Sequence, residues 1–576
     1  MVLAQNPLPL TAKELGDRQA DFIIVSGDAY IDHPSFGTAI IGRVLENAGF
    51  TVAVIAQPNY KTTDDFKRFG LPRLAFLVNA GNVDSMVANY TVAKRKRDYD
   101  YYSPGGKTGR RPDRAVIVYC NRIREAFGDV PIVIGGIEAS LRRMAHYDYW
   151  ENRLRKSILI DSSADILSYG MGEKSMLRIA KLLDKGVPVS KIRDVEGTAF
   201  VAESGFIPKG EHIILPSYKK MQENKALYAK SFKLQYQNCD HISGKILCEQ
   251  YDEGTVILNP PAAPLTTKEL DELAKIPYTR AIHPIYKKEG VPAITEIEFS
   301  VTHNRGCFGG CAFCAIAYHQ GRAVTSRSAD SVIEEVELLT TLPNFKGYIH
   351  DIGGPTANFR TGPCKAVAEG KKGVCANRRC LTPDVCKNLI IDHSEYIDIL
   401  SRAAAVKGVK KVFVRSGIRH DYVMADKRYG GRFIEALAKR HVSGQLRTAP
   451  EHICPEVLTL MGKPSYKVHE QFVEKFNAAS KKAGLKQYVV PYLMSSHPGA
   501  TMESAKKLSR YIQTNRLGSE QVQDFYPTPS TAATVMYFTG IDPFTEKKVY
   551  VARNVKEKQT QRAMLAKRST KRLQKK

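Results

Sequence analysis

From Asp21 onward, runs of consecutive apolar and β-branched residues alternate with stretches whose apolar positions recur every three or four residues. FIIVSGDAYI (Phe22–Ile31) predicts a buried strand. In SFGTAIIGRVLENAGF, Phe36, Ile40, Ile41, Val44 and Leu45 fall on one helical face, and Gly49 supplies a stop signal. TVAVIAQP, LAFLVNAG, AVIVYC, VPIVIGG and DILSYGMGE predict further strands, and KSMLRIAKLLDKG (Lys174–Gly186) another helix ended by glycine. Unbroken apolar strands alternating with helices indicate a doubly wound parallel sheet covered on both faces. Ligands of such folds bind at the carboxyl ends of the strands, where Gly27, Gly81, Gly135, Gly136, Gly170 and Gly172 fall.

The texture changes after residue 206. A polar helical region leads to NPPAAPL (Asn259–Leu265), a stiff connection ahead of the capped helix TTKELDELAK. Strand and helix patterns then resume as six units. The strands are ITEIEFSVTHN, GYIHDIGG, KKVFVRSG, GQLRTAP, KQYVVPYLMSS and QVQDFYPTP; the helices between them include SADSVIEEVELLTTL and VHEQFVEKFNAASKKAG. The expected organisation is an α/β domain over 1–206, a helical and extended linker over 207–291, a partial βα-barrel over 292–552 and a basic tail over 553–576.

Composition narrows the class. The chain has 576 residues, 43% hydrophobic and 25% charged, too many for one ordinary core and typical of globular domains. No apolar run reaches membrane-spanning length and the N-terminus lacks a signal-peptide pattern, so a cytoplasmic protein without membrane attachment is expected. The formal charge is +26. Its two densest patches are Lys94–Arg114, with eight basic and three acidic residues interleaved with tyrosines, and Arg553–Lys576, with ten basic residues and one acid. Such patches can neutralise phosphates and stack on bases, making RNA a candidate partner; solvated surface charge is the plainer alternative.

The candidate chemistry lies in RGCFGGCAFCAI. Cys307, Cys311 and Cys314 follow the first barrel strand, where chemistry is built in such folds, and Gly306, Gly309 and Gly310 let the loop curl. Three thiolates are one short of the usual four-ligand zinc or electron-transfer cluster. Four more cysteines, Cys364, Cys375, Cys380 and Cys386, sit in a lysine- and arginine-containing loop of little apolar content. They fit a structural zinc, an auxiliary 4Fe-4S cluster or ordinary reduced thiols.

Cys307-x3-Cys311-x2-Cys314, with Phe313 before the last cysteine, resembles the signature of radical S-adenosylmethionine (SAM) enzymes. The wider chain resembles the YgiQ-type family of radical SAM proteins, through DAYIDHPSFG, PGGKTGRRPDRA, NPPAAPLT, DIGGPTAN, RTAPEH, HPGAT and DFYPTPST. The resemblance implies a 4Fe-4S cluster on the three cysteines, with SAM on its open iron and a reductant such as flavodoxin or ferredoxin. Reductive cleavage of SAM would then yield a 5′-deoxyadenosyl radical, with RNA or a small molecule as substrate. Gly353 and Gly354 occupy the place of the SAM-binding Gly-Gly-Glu motif, with proline where the glutamate belongs. Ser416 stands where ribose contacts occur, and Arg447 and Glu451 match polar residues around SAM.

The first half resembles a cobalamin-binding-like domain, including the GMGE ending at Glu173. Cobalamin itself is not expected: DHPSFG puts His33 directly after Asp32, instead of the ligand spacing Asp-x-His-x-x-Gly. The competing functional class is a non-catalytic iron–sulfur protein that binds RNA or senses redox state.

Overall fold

The computed structural model describes residues 1–515, 517 and 522–566. The fold is α/β and divides into two compact units. One comprises Met1–Asn224, Leu234–Glu298 and Tyr318–Gln320; the other comprises Lys225–Lys233, Phe299–Ala317 and Gly321–Lys576.

The first unit is built on a nine-stranded mixed sheet. Its strands are β1 (Phe22–Ser26), β2 (Val52–Ala56), β3 (Ala75–Asn79), β4 (Ile132–Ile134), β5 (Ile166–Ser168), β6 (Thr198–Ala202), β7 (His212–Ile214), β8 (Ile246–Tyr251) and β9 (Gly254–Leu258). They lie in the order β7-β8-β9-β6-β5-β4-β3-β1-β2. The five-strand half from β5 to β2 is parallel throughout. All residues of β1 and nearly all of β2 and β3 are buried, because helices cover both faces and leave no side for polar positions. Gly37–Asn47 buries Ile40 and Leu45, and Glu173–Asp184 buries Met176, Ile179, Ala180 and Leu183, a 3.6-residue stripe.

Two expectations are corrected here. AVIVYC is not a strand but the start of the helix Ala115–Phe127. Its buried positions, Ala115, Val116, Tyr119, Cys120 and Ile123, keep helical spacing beyond the apolar run, and a short apolar run alone cannot separate strand from helix. Residues 207–291, expected as linker, supply β7, β8 and β9; β9 is antiparallel to both its neighbours. The proline-rich stretch after β9 does lead into a helix, Thr267–Lys275, closed by a Thr266–Glu269 capping box.

The parallel strands end in a cavity of about 130 Å³ lined by Gly81, Gly135, Gly136, Gly170 and Gly172 together with apolar residues such as Leu77, Val133 and Met176. His33 is wholly buried, and its Nδ1 accepts the Ser35 N–H. Burial, aided by the Arg280 charge, holds its pKa well below the usual value. It is not part of that cavity wall.

The basic loop is partly spent on structure. Arg111 is fully buried between Asp28 and Asp100, while Arg114 pairs with Asp148 and Glu151. Lys94 to Arg97 are exposed, as are Tyr99 and Tyr101, although Lys94 Nζ donates to the Trp150 carbonyl at 3.0 Å and Arg97 Nε to the Val87 and Tyr90 carbonyls.

The second unit carries parallel strand pairs. Ser300–Thr302 lies beside Asp351–Gly353, and Tyr348–Ile349 beside Lys411–Val412; Gln445–Glu451, Tyr488–Ser495 and Val522–Asp524 form a three-stranded ribbon. Helices Ala329–Thr340, Ser394–Ala405 and Tyr466–Lys482 pack their apolar sides on these strands through Val336, Ile399, Phe472 and Phe476. Part of the basic segment 553–566 is ordered against the unit. Val555–Ala566 is a helix, with Leu565 buried and Gln561 Nε2 donating to the Ala500 carbonyl at 3.0 Å. The remainder of that basic segment, 567–576, lies outside the described residues. Among the described residues no helix is long and apolar enough to cross a membrane.

Burial in this unit keeps several histidines neutral. It depresses His420 and His497 to about 3 and His469 to about 4. The unfolded chain takes up these protons below about pH 6.5 while the folded chain does not, so stability falls with falling pH. Urea midpoints should drop between pH 7 and 4.5, with a slope of up to about 1.4 kcal/mol per pH unit for each histidine. A flat profile would rule this out.

Candidate cysteine-loop active site

Cys307, Cys311 and Cys314 follow the strand Ser300–Thr302 on a loop fixed at its backbone. Cys307 N–H donates to the Gly321 carbonyl at 3.1 Å, Ala312 N–H to Met461 at 2.8 Å, and Ala533 N–H to Ala312 at 2.9 Å. Gly306 and Gly310 take φ of 80° and 67°, a region side chains disfavour. Gly309 is needed for space instead: a Cβ there would sit 2.6 Å from Arg419 Nη1 and 3.2 Å from Cys307 Sγ.

Arg419 organises the loop. Its Nη1 donates to the Gly309 carbonyl at 3.0 Å and approaches Cys311 Sγ at 3.5 Å. Nε and Nη2 donate to the two carboxylate oxygens of Asp421 at 2.8 and 2.6 Å. Both residues are buried. Burial alone would raise the Asp421 carboxyl, but the guanidinium overrides it and holds the group down at about 2. On the thiols, burial is the larger effect. It raises Cys307 and pushes Cys314 up to about 12, with the neighbouring Cys311 and Cys307 thiols adding to the latter.

The glycines after the second strand come to the same place. A side chain at Gly354 would collide with Asn304, whose Nδ2 donates to the carbonyls of Thr356 (3.0 Å) and Phe359 (2.7 Å). Thr356 Oγ1 in turn lies 3.3 Å from Cys307 Sγ. Gly353 abuts Ser416 and Asp351, and its carbonyl already accepts the His303 N–H at 2.9 Å. Ser416 Oγ donates to Asp351, which also accepts the Arg415 N–H at 2.8 Å.

Arg447 and Glu451 lie on one strand on either side of a bulge and differ in surroundings. Arg447 is exposed. Glu451 sits at a bulge with φ 68° and faces Lys463 at 3.8 Å, so the ion pair that holds it is not with Arg447. Burial raises the Glu451 carboxyl, and Lys463 opposes that rise. Lys463 also donates to the Ala449 carbonyl at 2.8 Å and lies 5.7 Å from the Phe313 ring centre. Arg419, Asp421, Asn304 and Lys463 escaped the sequence reading. The only hint was position: SGIRHD directly follows the third strand, on the side of the sheet where sites form.

Cys364, Cys375, Cys380 and Cys386 are half-buried free thiols. Cys386 N–H donates to the Cys380 carbonyl at 2.9 Å. Burial pushes Cys380 up to about 11, with Cys375, Cys386 and Cys364 adding to the rise. Among the described residues, no three His, Cys, Asp or Glu side chains converge as ligands of a single metal ion.

Removing the cation from a buried pair strands its carboxylate. Arg419→Met should destabilise the protein by about 3–5 kcal/mol in denaturant unfolding. The double variant Arg419→Met/Asp421→Leu should recover much of that loss; equal losses in both would show that the pair is not what Arg419 serves.

Comparison with known proteins gives the chain a family. The Radical SAM N-terminal model matches residues 8–300, and a model described as Domain of unknown function (DUF3362) matches residues 520–572. A UPF0313 protein of Clostridium botulinum (strain Okra / Type B1) is 53% identical over 562 residues, covering 97% of this chain and 87% of its own. One from Clostridium perfringens (strain 13 / Type A) is 53% identical over 553 residues, covering 96% and 83%. Among solved structures, the radical SAM methyltransferase TsrM of Kitasatospora setae aligns at 14% identity and TM-score 0.47, covering 88% of this chain and 74% of its own. The cobalamin-dependent radical SAM enzyme OxsB aligns at 13% identity and TM-score 0.46, covering 93% and 57%. On the family models and the full-length relatives, the chain is a member of the UPF0313 family, with a Radical SAM N-terminal domain.

Proposed function

We propose that the chain is a radical SAM enzyme whose second unit is a partial βα-barrel, with the boundary to the first near residue 292. Cys307, Cys311 and Cys314 would hold three irons of a 4Fe-4S cluster, leaving the fourth for SAM. When bound, such a cluster supplies reductive cleavage of SAM to methionine and a 5′-deoxyadenosyl radical.

The observation that carries this reading is the built loop. Three thiols are gathered after the first parallel strand, with the Arg419 guanidinium against Cys311 and the Lys463 ammonium on the Phe313 side. These cations offset the thiolate charge that burial disfavours, so the donor set fits an anionic iron–sulfur centre. The chain's own residues then prepare the cofactor's other end. Gly353 and Gly354 let Ser416, Asp351 and Asn304 pack directly on their backbone, and Asp351 accepts the hydrogen bond of the Ser416 hydroxyl, which leaves that oxygen as an acceptor for a ribose. Gly353 O already accepts one hydrogen bond, leaving a single lone pair for the SAM ammonium. Glu451, half-buried beside Lys463, is the candidate acidic partner of SAM in a sequence that has proline in the motif's glutamate position.

Anaerobic reconstitution with iron and sulfide, followed by dithionite and SAM, should release 5′-deoxyadenosine. Cys311→Ala should lose the cluster absorbance and the product while keeping its far-UV circular dichroism. A cluster-loaded wild-type protein that leaves SAM intact would overturn the reading.

The exposed Lys94–Arg97 run beside Tyr99 and Tyr101 favours RNA over a small molecule as substrate. Replacing all four basic residues with glutamine should weaken RNA binding and reduce its salt dependence by about three to four phosphate contacts. Binding that is unchanged would exclude this surface.

A further inference from the structure

We propose that Cys364, Cys375, Cys380 and Cys386 hold a second iron–sulfur cluster, set beside the first as an electron relay; the relay role rests on the function proposed above, the cluster itself does not.

The loop from Cys364 to Asn388 has almost nothing else to fold around. Its one helix, Lys365–Ala368, is a single turn, and only Gly373, Val374, Leu381 and Thr382 within it are buried. A long loop without a core needs another source of order, and metal coordination by thiolates is one. The backbone nevertheless gathers the cysteines. Ile390 N–H donates to the Pro363 carbonyl at 2.8 Å, closing the loop next to Cys364. The 2.9 Å bond from Cys386 N–H to the Cys380 carbonyl folds its second half on itself. Cys364, Cys375 and Cys386 each lie close enough to Cys380 for their charge to be felt at its thiol.

The location favours a cluster over zinc, because it suits electron transfer. Cys380 and Cys307 pack against the same apolar group of Phe308, Val324, Phe359, Leu381 and Tyr422, in which Phe308 and Phe359 stack at 3.8 Å. Arg379 seals the junction, with its stem against Gly310 and its Nη1 donating to the Thr459 carbonyl at 3.4 Å. Buried Arg322 supplies positive charge near Cys380. A low-potential one-electron donor protein would reduce the second cluster, which returns to its oxidised state as the electron passes to the first; no atoms are transferred.

The test uses the full chain, reconstituted anaerobically, with iron, acid-labile sulfide and zinc measured per chain and electron paramagnetic resonance recorded with and without SAM. Wild type should hold about eight irons and about eight sulfides. The variant C307A/C311A/C314A should keep about four irons, with a reduced signal that SAM does not change. The variant C364S/C375S/C380S/C386S should keep about four whose signal SAM does shift. About four irons in folded wild type that are lost in the C307A/C311A/C314A variant, or one zinc and no iron in that variant, overturns the second cluster. It leaves the first reading intact if the serine variant still cleaves SAM. Conversely, a C307A/C311A/C314A variant that matches wild type in iron content removes the first site and supports the second.

Discussion

The buried Arg419–Asp421 pair is the interaction on which the cysteine loop depends. A buried guanidinium is costly unless every donor finds a partner. Here Asp421 takes two donors, and a third reaches back to the Gly309 carbonyl and the Cys311 sulfur. The loop after one parallel strand thereby holds the loop after another. The need for Gly309 follows directly, since a side chain would displace the guanidinium. A site made of loops acquires the precision of a packed core through one ion pair.

The first unit uses the opposite means. Its parallel strands are buried on both faces, and their carboxyl ends open onto glycines rather than charged side chains. Glycine there lets backbone line a cavity without filling it. The charges of the neighbouring basic loop turn inward, Arg111 above all, so net charge overstates what that loop presents to a partner.

Much of the fold was legible because its signals are local. The strands β1 to β5, the helices Gly37–Asn47, Glu173–Asp184 and Tyr466–Lys482, and the Thr266 cap all follow from periodicity and capping chemistry. AVIVYC failed for a local reason too: six apolar residues satisfy a strand and a helix equally, and the deciding positions lie downstream at Ile123 and Gly128. The strands β7 to β9 were missed because sheet membership depends on partners far along the chain, as in the pairing of Thr255 with Ala202. The docking of Val555–Ala566 was hidden by its basic composition, since among its described side chains only Gln561 and Leu565 are buried.

By itself, the sequence determined the spacing of Cys307, Cys311 and Cys314, the glycines that let their loop turn, and its place after a strand. These are properties of neighbouring residues and need no fold to be read. Only the tertiary structure decided which charges serve that loop, that Glu451 answers to Lys463 rather than Arg447, and that Cys380 and Cys307 share one aromatic cluster. Ion pairs and packed side chains act over a few ångströms, and folding alone brings residues a hundred positions apart within that range.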